Sequence, residues 1–117
     1  MREILFYRAE SDECPVEDFL DTLDSKQAQK VAWVMQVVEE LEQVPVTYLK
    51  KLVNTKDIWE VRVQMGSNIF RFLGFFNHGS FIVLTNGFQK KTQKTPKSEI
   101  LHSEQRKQDY LERNTNE

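Results

Sequence analysis

Ile58-Trp59-Glu60-Val61-Arg62-Val63-Gln64-Met65-Gly66-Ser67-Asn68-Ile69-Phe70-Arg71 is the stretch that decides the fold. From Ile58 to Gln64 it alternates. Trp59, Val61 and Val63 fall on one side of an extended chain, and Glu60, Arg62 and Gln64 on the other. Gly66-Ser67 suits a tight hairpin turn with glycine first. A two-residue turn there sets Gln64 opposite Ile69 and Arg62 opposite Arg71. A second hairpin turning at His78-Gly79 sets Arg71 opposite Asn86, with Phe88 and Lys90 following along the same face. Two arginines directly across a sheet repel each other. Either a carboxylate lies between them, for which Glu60 is the near candidate, or the pair is a clamp for phosphate. Arginine offers phosphate oxygens a rigid fork of donors, and the clamp is the preferred reading.

Downstream, the apolar run Phe81-Ile82-Val83-Leu84 reads as a buried strand, and Gly87-Phe88-Gln89-Lys90-Lys91-Thr92-Gln93-Lys94-Thr95-Pro96-Lys97 follows it. Lys90, Lys91, Lys94 and Lys97 crowd like charges, which costs a fold energy and suits an anionic partner, above all a phosphate backbone. The 117-residue chain has a net charge of -2. That total hides a division. Residues 1–46 hold 4 basic and 11 acidic side chains, residues 47–97 hold 9 and 2, and residues 98–117 hold 3 and 5. A basic working surface on a sheet with an acidic helical back is the expected arrangement.

The length suits one domain with a single core, spanning 1–117. No apolar run approaches the ~20 residues of a membrane helix. Met1-Arg2-Glu3-Ile4 lacks the apolar core of a signal peptide, so a cytoplasmic setting is expected. Cys14 is alone, which excludes an internal disulfide, and there is no zinc-ligand cluster. Glu3 to Arg8 reads as a short strand. Pro15 suits the first turn of a helix with Val16, Phe19, Leu20 and Leu23 as its apolar stripe. Asp24-Ser25-Lys26-Gln27 resembles a capping box. It opens a second helix to about Glu42, with Ala28, Val31, Val34, Met35, Val38 and Leu41 facing the core and Pro45 as a stop. A last helix is expected from Lys97 to about Arg113, carrying Ile100, Leu101, Tyr110 and Leu111. Asn114-Thr115-Asn116-Glu117 reads as a frayed tail. The expected class is α+β, with a small antiparallel sheet of an N-terminal strand plus a C-terminal meander. Two N-terminal helices and one C-terminal helix flank it.

Tyr48-Leu49-Lys50-Lys51-Leu52, Ile58-Trp59-Glu60-Val61-Arg62, Arg71, Gly87-Phe88-Gln89-Lys90-Lys91 and Lys94-Thr95-Pro96 together resemble the phage-derived branch of the RelE/HigB toxin superfamily. Tyr7 and Cys14-Pro15-Val16-Glu17-Asp18-Phe19-Leu20 are similar to it too, so the resemblance covers roughly residues 2–113. It implies the toxin of a type II toxin–antitoxin system, an endoribonuclease (mRNA interferase) that enters the ribosomal A site and cuts mRNA. It also implies a RelE-like fold and a small antitoxin partner, often with a helix-turn-helix DNA-binding domain, through which the complex represses its own operon. Arg62, Arg71, Lys90 and Lys91 match the family's basic motif positions. Ser103 stands where the family often has Ala. The branch lacks the His-plus-acid arrangement of some relatives, and neither His78 nor His102 has a motif around it.

Metal-independent RNA cleavage uses the 2′-hydroxyl as nucleophile. Its site must orient that hydroxyl, stabilise the phosphorane and help the 5′-oxygen leave. Arg62 and Arg71, always charged, suit phosphate stabilisation. Lys90 or Lys91, among other cations, is a candidate base or acid. Phe88 is open to two readings, a stacking surface for a base or an ordinary core aromatic. Lys50, Lys51, Lys94 and Lys97 suit backbone contacts without sequence preference. No cofactor is expected. Two other readings stand beside the ribonuclease: a non-catalytic RNA-binding module, and a gyrase-poisoning toxin on the same fold.

Overall fold

The computed structural model describes residues 1–92 and 94–114. Gln93 lies outside the described residues, and so do Thr115, Asn116 and Glu117 of the expected frayed tail. The elements run β1 (Glu3–Phe6), α1 (Pro15–Leu20), α2 (Ser25–Glu40), β2 (Leu49–Lys51), β3 (Trp59–Met65), β4 (Asn68–Asn77), β5 (Phe81–Gln89) and α3 (Lys97–Arg113). They make an α+β fold on one five-stranded sheet of order β1-β5-β4-β3-β2.

Local signals place most of these boundaries. Pro15 occupies the first turn of α1. The capping box of α2 is complete: the Asp24 carboxylate accepts from the Gln27 backbone N–H at 2.8 Å, and the Gln27 side chain accepts from the Asp24 N–H at 3.0 Å. The Arg2 guanidinium reaches the end of the same helix and donates to the carbonyls of Val38, Leu41 and Glu42. That cation meets the negative end of the helix. α2 ends at Glu40, short of the expected Glu42, so Leu41 lies outside the helix and is largely exposed. α3 begins directly after Pro96 and runs to Arg113, as its sequence predicts.

The sheet corrects the sequence reading in three places. β1 pairs with β5 in parallel, Ile4 opposite Ile82, so the sheet is mixed and not wholly antiparallel. Alternation fixes which face a side chain takes but is silent on strand direction. A fifth strand, β2, pairs with β3 from Leu49 to Lys51 and is too short to show a period. The third correction is the second hairpin. Its loop has three residues, with Asn77 opposite Phe81, and the register slips again between Leu73 and Gly74. Arg71 therefore stands opposite Phe88, not Asn86. The two one-residue displacements cancel in phase, so Phe88 keeps the expected face. Gly74 marks the bulge: a Cβ there would lie 2.2 Å from the Val83 carbonyl oxygen. The first hairpin is as expected, Arg62 opposite Arg71, with Gly66 at φ +60 in the turn.

α1 and α2 cover one face. Val16, Val31, Val34 and Val38 meet Leu49, Val61, Val63, Phe70, Phe72, Ile82 and Leu84 in an apolar core. Each fully buried large side chain contributes roughly 1.5–3 kcal/mol over an exposed one. α3 covers part of the other face, over Tyr7, Phe75 and Val83. The β3 end of that second face is left open for charge.

Candidate nucleic-acid interface

Cross-strand partners share a face, and the register gathers the basic side chains. Lys50, Glu60, Leu73 and Asn86 form one row across β2, β3, β4 and β5. Arg62, Arg71 and Phe88 form the next row on the same face. Lys90 follows on that face, its backbone N–H donating to the Ile69 carbonyl at 2.7 Å. Lys51 pairs with Trp59 and takes the opposite face, where its ammonium meets Asp57 at 3.0 Å. The structure thus brings Lys50 to the arginines and leaves Lys51 away from them.

Glu60 lies between the arginines. Its Oε1 is 3.5 Å from Arg62 Nε and 3.4 Å from Arg71 Nε, and the carboxylate is nearly fully buried. Of the two explanations offered for the pair, the bridging carboxylate is the one the structure contains, and the two guanidinium groups still outnumber it. Among the described residues, neither of these buried Nε atoms has a hydrogen-bond acceptor. Such a group costs about 1–3 kcal/mol when left unpaired. Arg62 also donates to the Val46 carbonyl at 3.2 Å, and Arg71 to the Phe70 carbonyl at 3.1 Å. Burial pulls the pKa of Arg71 down, Glu60 pulls it back up and Arg62 lowers it again. Arginine stays charged through all of this.

Glu60 has a second task. Its Oε2 accepts the Thr95 hydroxyl at 2.6 Å. That bond ties the lysine-rich segment after β5 to the arginine row just before α3 starts. Lys90 is half-buried at the head of this segment. Burial lowers its ammonium pKa first, and Arg71 lowers it further, against the opposing pull of Glu60. Lys90 and Lys91 line a groove of about 610 Å³ with Ser67, Ile69, Gln89 and Thr92. Lys94 and Lys97 are exposed around Thr95 and the first residue of α3. Phe88 is half-buried next to Arg71 and belongs to neither core cluster.

The arrangement also includes residues that sequence reasoning passed over. A cavity of about 340 Å³ is lined by Arg62, Arg71, Gln64, Thr47, Tyr48 and, from α2, Lys30. Lys30 falls off the apolar stripe of α2 and reads from sequence as a solvated cation. Its spacing of three from Trp33 was the available signal. Among the described residues, no group of three or more His, Cys, Asp or Glu is placed to hold a metal ion. Chemically, four cations (Lys50, Arg62, Arg71 and Lys90) share this face with one carboxylate (Glu60), a surplus of three positive charges that falls to two when Lys90 is neutral.

None of the curated proteins compared with the chain matches it. A family model does: "Phage derived protein Gp49-like" spans residues 18–108, from the middle of α1 to well into α3. The match takes in every residue of the basic face, and that family is associated with RelE-like toxins of toxin–antitoxin systems. By this match over most of its length, the chain belongs to the phage-derived Gp49-like family.

Proposed function

We propose that this protein is the toxin of a type II toxin–antitoxin pair and a metal-independent endoribonuclease that cuts mRNA on the ribosome. The observation that carries the reading is Arg62 directly opposite Arg71, their buried Nε atoms sharing one carboxylate and, among the described residues, lacking hydrogen-bond acceptors. The 2′-hydroxyl attacks phosphorus, the P–O5′ bond breaks, and the products are a 2′,3′-cyclic phosphate and a free 5′-hydroxyl. The phosphodiester has one negative charge and the phosphorane approaches two. With Lys90 neutral, Lys50, Arg62 and Arg71 less Glu60 leave two uncompensated charges, which match the transition state better than the ground state.

Lys90 is the group we assign to proton transfer. Its lowered pKa increases the neutral fraction that takes the 2′-proton. Microscopic reversal lets the resulting ammonium protonate the 5′-oxygen. Lys91 stands beside it on the groove and contacts phosphate. Lys50, Lys94 and Lys97 hold the flanking backbone, and Phe88 offers a ring beside the clamp. The family association implies an antitoxin partner. We propose that an acidic helix of it covers the basic face. Charge reversal at Lys50 is then expected to weaken antitoxin binding more than reversal at Lys51, which faces away.

The test is controlled expression of the wild-type chain and Arg71→Ala, with mRNA 5′ ends mapped after induction. New ends inside translated frames, absent in the variant, are expected. Arrest with intact mRNA and broken DNA would move the assignment to gyrase. Binding of RNA with no cutting, ribosomes present, would leave a binding module.

A further inference from the structure

Trp33 is 47% exposed on a helix whose buried positions are Val31, Val34 and Val38. It is nonetheless held in place. Its ring meets Tyr48 edge-on with centroids 5.7 Å apart, and the Lys30 ammonium sits 4.8 Å from its centroid. Lys30 and Tyr48 both line the cavity that contains Arg62 and Arg71. That lining has three cations and no carboxylate. At about 340 Å³, the space is at the lower end of the ~300–1,000 Å³ of small-ligand sites. Such a lining selects an anion, and the volume suits one compact unit. Tyr48 lines the space and Trp33 packs against Tyr48 beside it, and this aromatic pair offers a flat π-face, because base–aromatic stacking tolerates any base.

We propose that Lys30, Trp33 and Tyr48 form a nucleobase-stacking subsite for single-stranded RNA, continuous with the arginine pair, so that one nucleotide spans both. The proposal rests on the reading above that RNA is the ligand, and it adds the place of one base. A free phosphate satisfies the cations and leaves the rings unused. An RNA strand uses both. α2 thereby contributes to binding as well as to the core.

The experiment titrates a fluorescein-labelled eight-nucleotide single-stranded RNA into the protein at low ionic strength, where phosphate contacts are strongest. Anisotropy reports binding, and tryptophan emission reports the platform. Quenched emission is expected on binding to wild type. Trp33→Phe, which keeps Trp59 and a flat ring, is expected to bind nearly as well with the quenching gone. Trp33→Ala and Lys30→Gln are expected to weaken binding, the first by about 5- to 150-fold, the range that stacking energies give. Tyr48 also packs on the core, so Tyr48→Leu, which keeps apolar volume, replaces the alanine variant. RNA binding with unchanged emission and unchanged affinity in Trp33→Ala would overturn this inference and leave the proposed function standing. Absence of any anisotropy change in wild type would overturn both. Quenching by an acidic antitoxin and not by RNA would assign the platform to a protein partner and overturn it as well.

Discussion

Under α3, the Thr85 hydroxyl lies 2.6 Å from Ser103 Oγ and 3.1 Å from the Leu73 carbonyl, and the Asn86 amide donates to the Glu99 carboxylate at 2.8 Å. Arg106 donates to the Thr85 carbonyl at 3.2 Å. A few residues away on the same sheet face, Arg62 and Arg71 keep buried Nε atoms with no acceptor among the described residues. One half of the face is a closed network, built to hold a helix. The other carries surplus charge that the fold does not satisfy. A fold under selection for stability alone fills or removes such groups. On the reading proposed above, the contrast separates residues that maintain the structure from residues that meet the ligand.

The largest effect that tests this contrast belongs to Lys90. Lys90→Gln is expected to slow cleavage by about 10²–10⁴-fold, the contribution of a general acid–base group. Its folded pKa lies below 10.5, so the wild-type rate should rise with pH through that folded value and level off. The variant should lose this limb. Stability carries the same sign. Charge on Lys90 is disfavoured in the fold, so a cost present at neutral pH is relieved as pH rises toward 10.5. A variant that keeps the limb would move the proton to another group.

Next comes Glu60→Ala, which leaves the buried Arg71 and the half-buried Arg62 without their carboxylate. A loss of about 3–5 kcal/mol in unfolding free energy is expected. Millimolar inorganic phosphate should restore part of that loss by occupying the cations, and denaturant titrations with and without it measure the difference. No recovery would mean that the open half is not an anion site.

On the closed half, Ser103→Val places two methyl groups against the Thr85 hydroxyl and removes one of its partners, leaving the Leu73 carbonyl. A cost of about 1–3 kcal/mol is expected, with cleavage by the folded protein unchanged. Loss of rate without loss of stability would erase the division between the halves.

The smallest effect is a pH dependence at the far end of α3. The Tyr7 hydroxyl donates to Asp109 at 2.6 Å, and Arg113 donates to the same carboxylate at 3.0 Å. The Tyr7 bond, then Arg113, lowers the Asp109 pKa below 3.8. Its contribution is therefore complete above pH 3.8 and disappears as pH falls through the folded value. Burial, then the Asp109 bond, raises the Tyr7 pKa above 10.0, so that contribution is lost as pH rises beyond 10.0. Asp109→Asn should flatten the acid limb of a stability–pH curve. A limb as steep as wild type would place its origin elsewhere.

The sequence showed the residues of the contrast better than their roles. Glycine at Gly66 and the alternation on either side set Arg62 against Arg71, because a two-residue turn leaves one register. Pro96 and the Asp24–Gln27 box marked helix starts through backbone chemistry that is local in sequence. The direction of β1, the three residues of β2 and the bulge at Gly74 depend on packing between distant segments. A period-two pattern carries no record of them. Phe88 was placed on the correct face opposite the wrong partner. The Thr95 bond to Glu60 joins residues 35 apart, and Lys30 reaches the cavity only because α2 lies across β3. The first leaves no local signal, and the second only the spacing of three between Lys30 and Trp33.

The most direct test of the central claim is the single-turnover rate at which Arg71→Ala cuts a ribosome-bound message, measured on protein shown to be folded. The account predicts a rate about 10²–10³-fold below wild type, the cost of removing one preorganised donor from a developing anion. A rate within a few-fold of wild type would contradict it and return the arginine pair to the architecture of the sheet.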